Sequence, residues 1–272
     1  MAIDTAVRAE VASPRRGLGL LGRRTRRPVA TVIMVGVVLA LWATLWDRTD
    51  FLPSLAATWD YGTETLAEGR TYRDLLATAR RLAMGLGIGY VGAVAVTLLM
   101  RKSSHWKLFF APHVFVLIST PGLAMSLISL MIFGLSEIGI YLAVAGVVFP
   151  FVVVSLLEGM EGLDAKLGEM TRVYHFSLWD RIRHQVTPEM APFMFAAFRN
   201  VHALAWKIVV IAELFTQDDG IGWQYKRAFA FFEFERLIVW GGYFVGLVVL
   251  VEYGVLRPIE RLVFRWRDNP AG

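Results

Sequence analysis

The 272-residue sequence has no cysteine, which rules out disulfides, a thiol nucleophile and cysteine-ligated metal. Its five histidines, His105, His113, His175, His184 and His202, show no metal-ligand spacing such as H-E-x-x-H. It has no G-x-x-x-x-G-K-[ST], so nothing in it cradles ATP phosphates in the P-loop manner. A formal G-x-G-x-x-G at Gly17, Gly19 and Gly22 follows no strand and sits in no βαβ unit, which argues against a dinucleotide site. Charge is scarce as well. Charged residues make up 19% of the chain and hydrophobic ones 56%. A mean hydropathy of +0.52 is too apolar for one soluble domain of this length.

What the sequence does have is a series of long apolar runs. The reading is an all-α polytopic membrane protein with about six transmembrane helices, at about 29–46, 82–100, 108–133, 138–157, 188–214 and 237–256. A basic N-terminal tail, 1–28, precedes them, and a basic tail, 258–272, follows the transmembrane domain 29–257. The arginine pairs of the first tail suggest a signal, but the next apolar run is long enough to span and no A-x-A site is evident. A retained first span is expected. A short amphipathic helix should lead into the second span, whose Gly85 and Gly89 form a G-x-x-x-G suited to close helix packing. The third span is interrupted by Pro112 and by Pro121-Gly122, with Ser119 and Thr120 beside the break. Broken helices at membrane depth need protein or water to satisfy the freed backbone groups. Most of the 28 lysines and arginines fall on one side if the N-terminus is cytoplasmic, so both termini and the insert 158–187 are placed there.

The polar insert is the unusual stretch. Leu163–Val173 and Leu178–Val186 read as two helices, with Ser177 capping the second against Asp180. Thr187 is expected to cap the fifth span and Pro188 to take its first turn. Such a helix pair on the cytoplasmic side is a knob shaped for a partner's groove, with an amphipathic helix lying on lipid as the competing reading. The fifth span carries charge into the membrane, and such residues are functional candidates. On a helical wheel Arg199, Asn200, His202, Trp206, Lys207 and Glu213 share an arc of roughly 160°. This arc and the break at Ser119 and Thr120 are the candidate lining of an anion path. The bland alternatives are a subunit interface for Arg199 and snorkelling for Lys207, while Glu213, next to the outer loop, is read as structural rather than solute-facing.

The insert resembles the E-A-A loop of inner-membrane permeases from ATP-binding-cassette (ABC) importers: E-A-A-x-x-x-G, nine residues, then I-x-L-P. Glu169 and Pro188 stand at the matching separation. Met170 and Thr171 replace the alanines, His175 the glycine, and Gln185 and Thr187 the Ile and Leu. The chain is similar to the nitrate/sulfonate/taurine branch in F-L-P-S (Phe51–Ser54), in Arg81 to Gly85 and in S-T-P-G-L-A (Ser119–Ala124). The similarity continues in F-G-L-S-E (Phe133–Glu137), A-W-K-I-V-V-I-A-E (Ala205–Glu213), D-G-I-G (Asp219–Gly222) and an Arg-Trp ending, over about residues 28–267. The histidine at the glycine position puts the turn geometry in question, since positive φ suits few non-glycine residues.

The resemblance implies a type I importer permease fold and no enzymatic activity in this chain. It implies a second permease subunit, a homodimer being expected over a heterodimer, two cytoplasmic ABC ATPase subunits that bind the ATP and magnesium, and an external substrate-binding protein. The membrane implied is a bacterial inner membrane; no nucleic acid is involved and this chain holds no cofactor. The ATPase is expected to meet Glu169, Arg172, His175, Phe176, Trp179 and Pro188, with Phe176 or Trp179 as the buried anchor. The solute expected is a small anion such as a sulfonate, taurine or nitrate. The rivals are a self-contained secondary transporter, which should show inverted repeats that the sequence lacks, and an integral-membrane enzyme, for which no His–carboxylate constellation recurs.

Overall fold

The structure is a computed structural model. It describes residues 33, 34, 36, 37, 40–46, 53–163 and 165–263, with the side chains of residues 165, 172 and 178 outside that set. The expected tail 1–28 lies outside the described residues, as does much of 258–272 and part of the expected span 29–46. The chain divides into two units, Met1–Leu55 and Ala56–Gly272. In the first, residues 40–46 are helical and Trp42 Nε1 donates to the Pro53 carbonyl at 3.1 Å.

The second unit is helical, with no strand among the described residues. After α1 (Leu55–Ala67), α2 runs unbroken from Gly69 to Lys102. The amphipathic lead-in and the span therefore form one rod, 34 residues and about 51 Å long. Ser103 ends it and caps α3 (Ser104–Ser119), its Oγ accepting from the His105 N–H. The next helix, α4 (Gly122–Phe133), leaves α3 at 105°. Pro121 causes the bend by withholding an N–H and holding Thr120 extended at ψ 123°. The segment 108–133 is thus a broken pair, not a straight rod.

The axis of the unit is α5 (Glu137–Glu161), capped by Ser136, whose Oγ accepts from the Gly139 N–H. Ile140, Val144, Val148, Val152 and Val153 are fully buried along it. The G-x-x-x-G of α2 lies against this row. A Cβ added at Gly85 would sit 2.5 Å from Val144 Cβ, and one at Gly89 3.1 Å from Ala145 Cα. Both glycines therefore serve backbone approach of α2 to α5.

The polar insert forms α6 (Ala165–Val173) and α7 (Leu178–Arg181), which passes through one π turn (Ile182–Val186) into α8 (Thr187–Thr216). A short α9 (Ile221–Ala230) precedes α10 (Phe234–Val251), which continues through a second π turn (Glu252–Leu256) into α11 (Arg257–Val263). Each π turn ends two residues before a proline, Pro188 or Pro258. The wider turn makes room for a ring that would press on the carbonyl four residues back. Thr187 corrects an expectation here. It has helical angles (φ −64°, ψ −47°) and its N–H donates to the Ile182 carbonyl, so it continues the helix and caps nothing.

Among the described residues, four helices are long and apolar enough to cross a membrane: Gly69–Lys102, Glu137–Glu161, Trp179–Thr216 and Phe234–Val263. The bent pair α3–α4 makes a fifth if it counts as one span.

Gly89→Val is expected to destabilise the bundle by about 1–3 kcal/mol through overpacking against α5. Gly87→Val, whose Cβ would meet nothing within 4 Å, should leave it unchanged. Thermal melting of the detergent-purified variants checks this, and equal melting temperatures would refute the packing role.

Candidate transport machinery from a polar helical knob to a buried polar latch

The knob is built by a helix, a left-handed turn and a second helix. The N–H of Phe176 donates to the Thr171 carbonyl at 3.0 Å, closing α6 with His175 at φ 49°. That is the left-handed position which glycine usually fills at a helix C-terminus, and histidine is among the side chains that tolerate it. Ser177 then opens α7. Its Oγ accepts from the Asp180 N–H at 3.1 Å and its hydroxyl donates to Asp180 Oδ2 at 2.6 Å. The two arms are joined by buried Thr171, whose hydroxyl lies 3.0 Å from the Gly168 carbonyl and 3.2 Å from Gln185 Oε1.

Glu169, His175, Phe176, Trp179 and Pro188 are all exposed on this insert, and Trp179 at 67% is a large apolar side chain standing in solvent. The Arg172 side chain lies outside the described residues. Between the arms is a cavity of about 660 Å³ lined by Leu167, Met170, Phe176, His184 and Pro188 among others.

From Trp179 the helix runs without interruption to Thr216, 38 residues or about 57 Å. The structure separates the polar arc of this helix into two faces. His202, Trp206 and Glu213 are buried, whereas Arg199, Asn200, Ala203 and Lys207 form an exposed stripe. Trp206 Nε1 donates to His202 Nε2 at 2.8 Å, which leaves the imidazole proton on Nδ1. Arg199 is held by Glu252 at 2.7 Å and Glu260 at 3.3 Å, tying α8 to the second π turn and to α11. Lys207 has no ion-pair partner among the described residues.

Ser119 and Thr120 flank the 105° bend, but their hydroxyls are engaged. They donate to the Phe115 and Val116 carbonyls at 2.9 and 2.8 Å. In this structure they close the end of α3 rather than offering protons to a passing solute.

At the far end of α8 lies a buried polar cluster. Glu213 is 0% exposed and Arg81 of α2 is 1% exposed, with Nη1 3.0 Å from Glu213 Oε1. Glu213 Oε2 accepts from the Thr78 hydroxyl at 2.9 Å and from the Gly222 N–H at 3.0 Å. The second terminal nitrogen of Arg81, Nη2, contacts Asp219 Oδ1 at 2.5 Å, Gln217 Oε1 at 3.2 Å and Glu137 Oε1 at 3.3 Å. Asp74 accepts from the Gly220 N–H at 3.2 Å and from Gln224 Nε2 at 2.6 Å, and the Ile221 N–H donates to Thr78 at 2.9 Å.

The D-G-I-G turn is thereby clamped to α2 and α8. Gly220 takes φ 90° and lies so close to the Glu213 carboxylate that a Cβ would sit 2.7 Å from Oε2. We call this cluster the latch. Sequence reading placed Glu213 as structural but missed Asp74, Thr78, Arg81 and Asp219. The available signal was that Asp74, Thr78 and Arg81 recur at i, i+4 and i+7, three polar side chains on one face of a helix about to become apolar.

A bundle of long apolar helices with a broken helix pair, a polar helical knob at one end and a polar latch at the other defines a multi-pass membrane transport subunit of type I ABC-permease architecture. The family described as binding-protein-dependent transport system inner membrane component matches residues 85–258, and the chain belongs to it. It is 25% identical over 261 residues to the putative aliphatic sulfonates transport permease protein SsuC of Bacillus subtilis, covering 92% of each chain. It is 27% identical to the protein of the same name in Escherichia coli, over 87% of this chain and 90% of that one. The nitrate import permease protein NrtB of Leptolyngbya laminosa is 25% identical, over 79% of this chain and 83% of its own.

Removing one partner of a buried ion pair leaves an uncompensated charge and costs about 3–5 kcal/mol. Glu213→Leu alone is therefore expected to unfold the latch end and lower the melting temperature sharply. Arg81→Met combined with Glu213→Leu should recover much of the loss. A double-mutant cycle on melting temperature and yield decides it; additive losses would refute the coupling.

Proposed function

We propose that this chain is the permease subunit of an ABC importer for a small organic or inorganic anion, acting as a pair of copies, preferentially identical, in a bacterial inner membrane. In this reading the chain hydrolyses nothing. ATP and magnesium are bound by partner ATPase subunits on the cytoplasmic side, and an external binding protein delivers the solute. Both termini and the knob face the cytoplasm, following the lysine and arginine distribution.

The observation that carries the reading is the unbroken helix from Trp179 to Thr216. One end is the exposed aromatic knob and the other ends in the latch, so a push on the knob is delivered to the outer end by a single stiff element. The knob presents Phe176 and Trp179 as anchors for a groove in the ATPase, with Glu169, His175 and Pro188 around them. The relatives named as sulfonate and nitrate permeases support an anion as cargo. The exposed stripe of α8, with unpaired Lys207 beside Asn200 and Ala203, offers a cation and an amide to an anion passing between two copies.

Trp179→Ala and Phe176→Ala together should reduce recovery of the ATPase with the tagged permease and abolish ATP-driven uptake in proteoliposomes while melting stays unchanged. Lys207→Met, which keeps the stem and removes the charge, should leave recovery intact but lower uptake of radiolabelled sulfonate or nitrate by about tenfold. Wild-type coupling in the first variant would overturn the knob assignment, and wild-type uptake in the second would remove Lys207 from the path.

A further inference from the structure

Between α2, α8 and the second π turn lies a slot of about 470 Å³ that transport by the α8 stripe does not use. On α2 it is lined by Ala79, Ala83, Gly87 and Val91, one side chain per turn over about 18 Å. Ala83, Gly87 and Val91 are exposed, and a Cβ added at Gly87 would meet nothing within 4 Å, so the slot is open along this side. Phe198, His202 and Trp206 of α8 form the facing wall, and Val255 and Leu256 of the π turn complete it.

The walls are apolar but for one free group. Tyr90 also lines the slot, yet its hydroxyl donates to the Met194 carbonyl at 2.7 Å, and the Trp206 N–H is spent on His202 Nε2. That leaves the second imidazole nitrogen. His202 is only 4% exposed, and because Nε2 accepts, the ring proton is on Nδ1. This N–H has no acceptor among the described residues, and Nδ1 is not one of the unpartnered side-chain atoms sealed from the surface. It therefore opens into the slot that His202 lines.

A buried donor calls for an acceptor, and the surroundings decide which. Water needs two to four polar partners and finds a single donor here. A solute anion would exchange its hydration for one neutral N–H between apolar walls. A long apolar body carrying one acceptor suits the slot. The chain belongs to an inner-membrane family, so ester-linked acyl chains are the abundant molecules of that kind around it. Their carbonyls lie where the hydrocarbon meets the headgroups. His202 is about 4.5 Å along α8 from Arg199, whose pairing with Glu252 and Glu260 sets a charged rim at that level. From the rim the slot runs inward along α2 in the direction of the latch. We propose that it binds one acyl chain of an ester phospholipid, the chain lying along α2 and its ester carbonyl accepting from His202 Nδ1. The lipid packs on the opposite side of α8 from Lys207, as a resident of the bundle and not as cargo. The binding rests on the membrane class alone and is independent of what is transported.

The test is native mass spectrometry of the full-length chain with whatever subunits accompany it. The protein is stripped of lipid in detergent and offered diacyl phosphatidylglycerol or its dialkyl ether, which keeps headgroup and chains but lacks the carbonyls. The wild type should hold the ester lipid about fivefold more tightly than the ether. His202→Phe keeps an aromatic ring without the donor and should bring the two lipids to equal affinity. Ala83→Phe, which fills the slot from its exposed side, should weaken both. Met131→Phe, at an exposed apolar position of α4 outside the slot, should change neither.

Equal affinity of the wild type for the ester and ether lipids would overturn the proposal, a result that requires no variant to fold. So would ester preference surviving His202→Phe, or wild-type retention of both lipids by Ala83→Phe. Val91→Cys, in a chain with no cysteine of its own, asks whether a second copy occupies the slot instead. A disulfide that joins two copies in the bilayer and blocks lipid retention would assign the slot to subunit pairing and overturn the proposal. A thiol that stays unpaired under the same oxidation is the expected result.

Discussion

The ion pair between Arg81 and Glu213 is the constraint on which the rest of the described bundle depends. Two full charges with almost no solvent exposure cost several kcal/mol each to desolvate, and a single contact does not offset that. The fold answers by surrounding both. Glu213 has the guanidinium, a hydroxyl and a backbone N–H, while Arg81 reaches three carboxylates and a side-chain amide. These partners come from α2, α5, α8 and the D-G-I-G turn, so satisfying one pair of charges fixes how four segments meet. Asp74 and Gln224 extend the same logic to α9.

This rigidity at one end gives meaning to the other. The helix from Trp179 to Thr216 is anchored by Glu213 at one end but begins, at the other, beside a turn whose apolar side chains are unburied. Two π turns, before Pro188 and Pro258, sit where the α7–α8 and α10–α11 helices must pass a proline without breaking. Arg199 links α8 to the second of these through Glu252. A displacement at the knob therefore enters α8 just after one wide turn and is shared with the C-terminal helices through the other.

Much of the architecture was legible because apolar spans are written as long uninterrupted runs. The break at Pro121 follows from a missing N–H, the G-x-x-x-G from the absence of side chains, and the Ser177 cap from a hydroxyl three residues ahead of a carboxylate. Thr187 was misread as a cap because proline at the next position looks like a helix start; only the continuous backbone shows that a π turn carries the helix across. Ser119 and Thr120 look like solute-facing hydroxyls in sequence, yet the backbone carbonyls left over by the bend claim both protons. Taken singly, Asp74, Thr78 and Arg81 carry no such signal, because on an amphipathic lead-in helix each resembles an ordinary solvated polar residue.

The sequence by itself determined the membrane class, the helical content, the position of the break and the polar character of α8, since each depends on composition or on spacing within one helix. Which side of α8 is buried was decided only by tertiary structure. A helical wheel gives the angle between His202 and Lys207 but not the direction of the neighbouring helices. Packing against α2 and α5 turned His202, Trp206 and Glu213 inward and left Arg199, Asn200 and Lys207 outside. The latch was equally beyond the sequence, because its charges lie more than a hundred residues apart in the chain and meet only when α2 and α8 are side by side.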